Sequence, residues 1–165
     1  MDRSVCPHNE LYSLCTKEQP MDVYSEKTRS QVMSRIRSCG TSPEKRLSKL
    51  ARSVLTKRHP IMANCRAVAG CPDLFVPSLR LAIFLDGCFF HCCPIHGHIP
   101  KSNMTYWKPK LERNAARDRK SSRLLRAQGI SVWRFWEHDL KPSRIKGAAW
   151  RLARAVMQQK RKLGK

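Results

Sequence analysis

The eleven residues from Cys88 to His98, CFFHCCPIHGH, concentrate much of this chain's chemistry. Thiolates and neutral imidazoles are the ligands zinc prefers, and four of them close a tetrahedral structural site. Cys88, Cys93 and His96 have the spacing with which one loop wraps one ion. The fourth ligand then comes from elsewhere, and His138, just after the apolar run Ile130–Trp136, is the best placed. An ion held this way ties the region of residues 81–85 to that of residues 130–136. Cys92 and His98 are rivals within the loop, although adjacent cysteines diverge too much for both to bind one ion readily. Buried free thiols beside a surface histidine are the plainer reading, and the density of ligands argues against it.

A second set is acidic. Pro72-Asp73 opens an apolar strand, and the following apolar run ends at Asp86. An acid at the start of one strand and a group on the next suit a Mg²⁺ ion held at a phosphodiester. Glu44, on an amphipathic helix, supplies a further carboxylate. An Asp after a Pro as often just caps a turn; the basic background and the histidines that follow give this one weight. His91 has two readings, which spacing leaves even. It is a general base that activates water, with Asp118 bonding its other nitrogen and fixing the tautomer. Otherwise it is the fourth zinc ligand, and Asp118 pairs at the surface with Arg117, Arg119 or Lys120. Phe89, Phe90 and Trp107 are likewise either core or apolar wedges that open base steps of a duplex.

The elements that must position these groups follow from pattern. Residues 1–24 read as a loose leader, with Met21 as an alternative start. From Ser25 the chain turns helical and basic, stopping at Gly40. Thr41-Ser42-Pro43-Glu44 is a helix start, with a hydroxyl cap, a proline in the first turn and an early acid. Leu47, Leu50, Ala51, Val54 and Leu55 follow at helical spacing, until a break near His59-Pro60. Residues 72–90 form two short strands about a turn at Pro77-Ser78, and the second, Leu81–Leu85, is apolar on both faces and so central. Residues 91–104 are a loop. A helix over about 105–128 ends at Gly129, Ile130–Trp136 is a strand, and residues 142–162 form an amphipathic helix through Ile145, Ala149, Leu152 and Val156. The order helix, strand pair, helix, strand, helix predicts an α/β domain over residues 25–140, followed by a basic helix or tail, 141–165.

Charge points to the partner. The 165 residues hold 33 Lys and Arg against 12 Asp and Glu, a formal charge of +21. Arg3 and Lys17 against Asp2, Glu10 and Glu18 leave residues 1–20 at −1, so the rest carries +22. Solubility alone asks for a net charge of roughly 2–8 in magnitude; this excess predicts a polyanion, with affinity that falls steeply as salt rises. No apolar run approaches the ~20 residues of a membrane helix, and no apolar core marks a secretory signal. Cysteines beside histidines in such a chain suit reduced thiols in the cytoplasm.

Six segments in order, DVYSEKTRSQVMSRIRS, TSPEKRL, PDLFV, DGCFFHCCPIHGHIPKSN, YWKPKLERNAARDRKSSRLL and VWRFWEH, resemble the very short patch repair (Vsr) endonucleases over roughly residues 21–140. The resemblance implies a type II restriction-endonuclease-like fold, a central mixed sheet flanked by helices. It implies Mg²⁺-dependent nicking of one DNA strand, 5′ to the thymine of a T·G mismatch left by deamination of 5-methylcytosine. It implies a cytosine-5 DNA methyltransferase and a repair polymerase as functional associates, and a monomer working at the nucleoid. By position, Asp73 corresponds to the catalytic Mg²⁺ ligand, His91 to the general base, Asp118 to its supporting acid and Glu44 to the acid of the first helix. Cys88, Cys93, His96 and His138 correspond to the zinc ligands, and Phe89, Phe90 and Trp107 to the aromatic wedge. Residues 27–37 correspond to a helix that embraces DNA from the other groove. There are departures. Asp86 replaces a histidine of some members, as a second metal carboxylate or a water-positioning group. Phe90 stands where tryptophan is familiar, and Cys93, His96 and His138 permute Cys and His among ligand positions. A non-catalytic zinc-bearing DNA-binding module and a restriction-type nuclease on unmodified duplex are the alternatives; a pure binder has no need of Asp73, His91 and Asp118 together.

Overall fold

Helix α1 (Ser42–Val54) is set by a reciprocal cap. The Glu44 N–H donates to Thr41 Oγ1 at 3.4 Å, while the Glu44 carboxylate accepts the Thr41 hydroxyl at 2.8 Å and the Gly40 N–H at 2.9 Å. Donors that a helix start leaves unpaired are thereby satisfied, and Glu44 is pinned where the helix begins. In this computed structural model the described residues are Thr28, Ser30, Gln31, 40–97 and 103–164. Those first three are helical. The expected leader, the rest of the helix over 25–40 and His98 lie outside the described residues.

Four strands follow: β1 (Met62–Ala63), β2 (Leu74–Val76), β3 (Leu81–Asp86) and β4 (Ser131–Trp136). They form one mixed sheet in the order β1-β2-β3-β4, with β1–β2 and β2–β3 antiparallel and β3–β4 parallel. The two-residue edge strand β1, wholly exposed, carries no sequence pattern and was not anticipated. A parallel pair needs a long crossover, and helix α2 (Met104–Ala127, 24 residues) provides it. Gly129, at φ +71°, ends the crossover in a conformation that suits glycine. Helix α3 (Ile145–Lys162) closes the chain.

The helices cover both faces of the sheet. Leu47, Leu50 and Ala51 of α1 pack with Ala148, Leu152 and Val156 of α3 on the face that carries Leu81 and Ile83. Residues 141–165, set apart in sequence as a basic helix or tail, thus contribute their apolar row to the main core. On the other face Ala82 and Phe84 meet Leu125 of α2. Strand alternation puts Asp86 on this α2 side. No helix among the described residues is long and apolar enough to cross a membrane.

Candidate active site and metal centre

Asp73 lies just before β2, and its Oδ2 accepts the Leu85 N–H of β3 at 2.8 Å. Burial raises its pKa, and the charges of Glu44 and Asp86 reinforce this against the Leu85 hydrogen bond, so the carboxyl sits above its ordinary 3.8. Asp73 thus feels the charge of two further acids, Glu44 of α1 and Asp86 at the end of β3. A partly desolvated carboxylate is an oxygen donor of the kind a hard divalent cation takes.

Beside them, His91 and Asp118 meet as the general-base reading requires. His91 Nδ1 stands 2.6 Å from Asp118 Oδ2 and 3.7 Å from Asp86 Oδ1. The Phe90 carbonyl next to His91 accepts from Asn114 of α2 at 3.1 Å, which fastens the loop to the helix carrying Asp118. Burial opposes the charged imidazole, yet the Asp118 bond and the Asp86 and Asp118 charges outweigh it and raise His91 above 6.5. Burial opposes the Asp118 carboxylate too, but His91 and Arg134 hold it below 3.8.

Arg134, in β4, was not singled out in sequence. Its Nε and Nη2 donate to Asp86 Oδ2 and Oδ1 at 2.7 and 2.5 Å, and Nη2 lies 3.1 Å from Asp118 Oδ1. Asp86 is 4% exposed. With both its oxygens engaged by this fork, Asp86 acts here as Arg134's partner. The one available signal was a cation inside the aromatic run VWRFW.

The predicted soft cluster also forms. Cys88, Cys93, His96 and His138 bring one ligand atom each within 4.8 Å of one another. Cys88 Sγ is 3.2 Å from His138 Nδ1, and Cys93 Sγ is 3.6 Å from His138 Nδ1 and 3.8 Å from His96 Nδ1. A tetrahedron with zinc–sulfur and zinc–nitrogen bonds of about 2.3 and 2.05 Å has a sulfur–nitrogen edge of about 3.5 Å, so the spacing fits. Burial and the adjacent Cys93 push the Cys88 thiol up to about 11, a penalty that a bound cation removes. Burial also lowers His138, favouring the neutral, ligating imidazole. Asp139 braces it: Oδ1 is 3.6 Å from His138 Nε2, while Oδ2 accepts the Trp136 N–H and Arg151 Nη1 at 3.1 and 2.8 Å. His91 stays outside this cluster, paired with Asp118.

The three aromatics Phe89, Phe90 and Trp107 pack against one another. Trp107 heads the buried row Trp107–Leu111–Ala115 of α2, so its ring turns inward and is only 6% exposed. Phe89 packs edge-on against it at 4.9 Å, and Phe90 against Phe89 at 5.1 Å. Trp107 is therefore an anchor beneath the half-buried Phe89 and Phe90. The neighbouring Tyr106, passed over in sequence, is 48% exposed. On α1, Lys45, Lys49 and Arg52 line a groove with Glu44 and Asn64.

Comparison with known proteins gives the family. The family model described as DNA mismatch endonuclease Vsr matches residues 21–96. The Type II nicking enzyme V.XorIIP of Xanthomonas oryzae pv. oryzae is 37% identical over 121 residues, 72% of this chain and 86% of that protein. The chain belongs to the Vsr family. The Type II nicking enzyme V.NaeI of Lentzea aerocolonigenes is 39% identical over 117 residues, 67% of this chain and 68% of its own. The DNA mismatch endonuclease Vsr of Escherichia coli is 32% identical over 126 residues, 73% and 76% of the two chains. The Vsr match stops at residue 96 and so includes Glu44, Asp73 and His91 but not Asp118, Arg134 or His138. In this Vsr-family chain, both clusters are completed by residues beyond that match.

Proposed function

We propose that this member of a DNA endonuclease family nicks one strand of duplex DNA, on the 5′ side of the thymine in a T·G mismatch, with Mg²⁺ as catalytic cofactor. The observation that carries the reading is the 2.6 Å contact between His91 Nδ1 and Asp118, made next to Asp86, whose charge also acts on Asp73. With Nδ1–H donated to Asp118, the Nε2 lone pair accepts a proton from water as its oxygen attacks phosphorus and the bond to the leaving oxygen breaks. Asp73, with Glu44 nearby, would hold Mg²⁺, which supplies charge stabilisation at the phosphate. Cys88, Cys93, His96 and His138 would hold Zn²⁺ as a closed structural site, keeping the loop that carries His91, Phe89 and Phe90 against the end of β4. The formal charge of +21 suits the polyanion, and family membership supports the restriction-endonuclease-like reading of the sheet.

T·G mismatches arise where 5-methylcytosine loses its amino group by hydrolysis, so a cytosine-5 DNA methyltransferase makes the base that becomes the lesion, and a repair polymerase replaces the thymine by synthesis from the nick. One cut in one strand needs one site, hence a monomer acting at the nucleoid in the cytoplasm. The test is nicking of T·G and matched duplexes in varied flanking sequence, with and without Mg²⁺, by the protein and by Asp73→Ala. Expected is Mg²⁺-dependent nicking of the T·G strand, abolished in the variant while DNA binding persists. Double-strand cutting of matched duplex would instead favour a restriction-type nuclease, and binding without cutting a DNA-binding module.

A further inference from the structure

We propose that Arg134 is a positioning residue, one that fastens Asp118 to Asp86 and so holds Asp118 where it accepts the Nδ1–H of His91. The proposal rests on the reading of His91 as the base.

Two carboxylates, from β3 and from α2, approach the same imidazole nitrogen, at 3.7 Å for Asp86 and 2.6 Å for Asp118. Left alone they would repel each other and compete for one proton. Arg134 reaches them because β4 runs parallel to β3 with Arg134 opposite Phe84 and Trp136 opposite Asp86. Its side chain therefore rises on the face that carries Phe84 and Asp86. The guanidinium lies over the Phe84 ring, 4.8 Å from its centroid, which fixes its plane. From there the fork takes both oxygens of Asp86, and Nη2 continues to Asp118 Oδ1. Asp118 keeps Oδ2 for His91. Neutralising a buried acid requires only the Asp86 contacts. The third contact, to the acid that orients the base, goes beyond neutralisation and points to a role in catalysis. A lysine, a point charge without the planar fork, cannot make all three at once.

The test compares Arg134→Met, Arg134→Lys and the apolar pair Asp86→Leu/Arg134→Met, which removes the buried charge together with its partner. Two quantities are read: the single-turnover nicking rate at saturating protein on a T·G duplex with Mg²⁺, and the ¹⁵N imidazole spectrum of His91 in the free protein. In Arg134→Met the nicking rate falls by about 100-fold, the lower end of what a positioned base contributes, while duplex affinity changes little. The His91 spectrum shifts from the Nδ1–H tautomer to a mixture. Arg134→Lys recovers part of the rate. The apolar pair melts close to wild type yet stays slow and keeps the mixed tautomer. Wild-type nicking and an unchanged His91 spectrum in the pair variant would overturn the proposal, leaving Arg134 a counter-ion to Asp86. If Arg134→Met fails to fold, the pair variant decides alone. Failure of the functional reading looks different: wild type itself does not nick, while the spectrum still reports whether Arg134 fixes the tautomer.

Discussion

If α1 meets the phosphates through Lys45, Lys49 and Arg52, the salt dependence of binding isolates that role. Lys45, Lys49 and Arg52 share one groove with Glu44, at spacings that place them in a single row. Seven residues of helix span roughly 10 Å, the axial length of about three phosphates of one strand. If each side chain neutralises one phosphate, each contributes about 0.9 to the slope of log affinity against log salt, about 2.7 for three. Between about 50 and 200 mM salt that amounts to roughly 40-fold in affinity. The triple variant Lys45→Gln, Lys49→Gln, Arg52→Gln should therefore bind duplex far more weakly at low salt, with its curve converging on wild type as salt rises. Fluorescence anisotropy on a labelled duplex without Mg²⁺ measures this without cleavage. A control with Lys160, Arg161 and Lys162, in the last turn of α3, changed to Gln removes the same net charge elsewhere. Equal slopes for the two triples would refute the assignment of the phosphate row to α1, leaving only an effect of overall charge.

Four other outcomes are expected. Nicking should rise with pH through a midpoint above 6.5, because the Asp118 bond raises His91 and the base must be neutral; Asp118→Asn should lower both midpoint and plateau. The same pairing contributes fully to stability between about pH 3.8 and 6.5; it is lost as pH rises through the raised His91 value and as pH falls through the lowered Asp118 value, which melting curves across that range would register. Metal analysis should find about one zinc per chain, and chelation should unfold the protein, since a structural zinc contributes roughly 10–16 kcal/mol, against total stabilities of about 5–15. His138→Ala should release the metal, and unchanged zinc content would rule this ligand out. Trp107→Ala should cost about 3–5 kcal/mol of stability, as for other buried aromatics, and weaken matched and mismatched duplex binding alike, whereas Phe90→Ala should weaken mismatch binding selectively.

The parts legible in sequence are those whose cause is local or chemically dense. The Thr41–Glu44 cap is decided within four residues, so α1 announces itself. The soft ligands crowd one loop and leave few candidates for a fourth, so His138 could be named before its strand had a partner. Burial of β3 on both faces likewise follows from its composition. Arg134 could not be read this way: its meaning depends on a parallel register that sets it across from Phe84, and no spacing rule connects residues 86 and 134. Pattern left Trp107 open between core and wedge, because a ring at the start of a helix looks the same whether it points in or out; in the fold it points in. The apolar row of residues 142–162 was legible, but the basic charge set the segment apart from the domain whose core it completes.

The parallel ladder between β3 and β4 has a consequence for synthesis. It joins Asp86 to Arg134 and brings Cys88 to His138, partners 48 and 50 positions apart. A ribosome that has released Asp73, Glu44 and His91 has still made neither the arginine fork nor the fourth soft ligand. Contacts this distant form only after the intervening chain exists. The growing polypeptide therefore carries acids and a histidine but no assembled centre until β4 emerges, and prematurely terminated chains are left without a working blade.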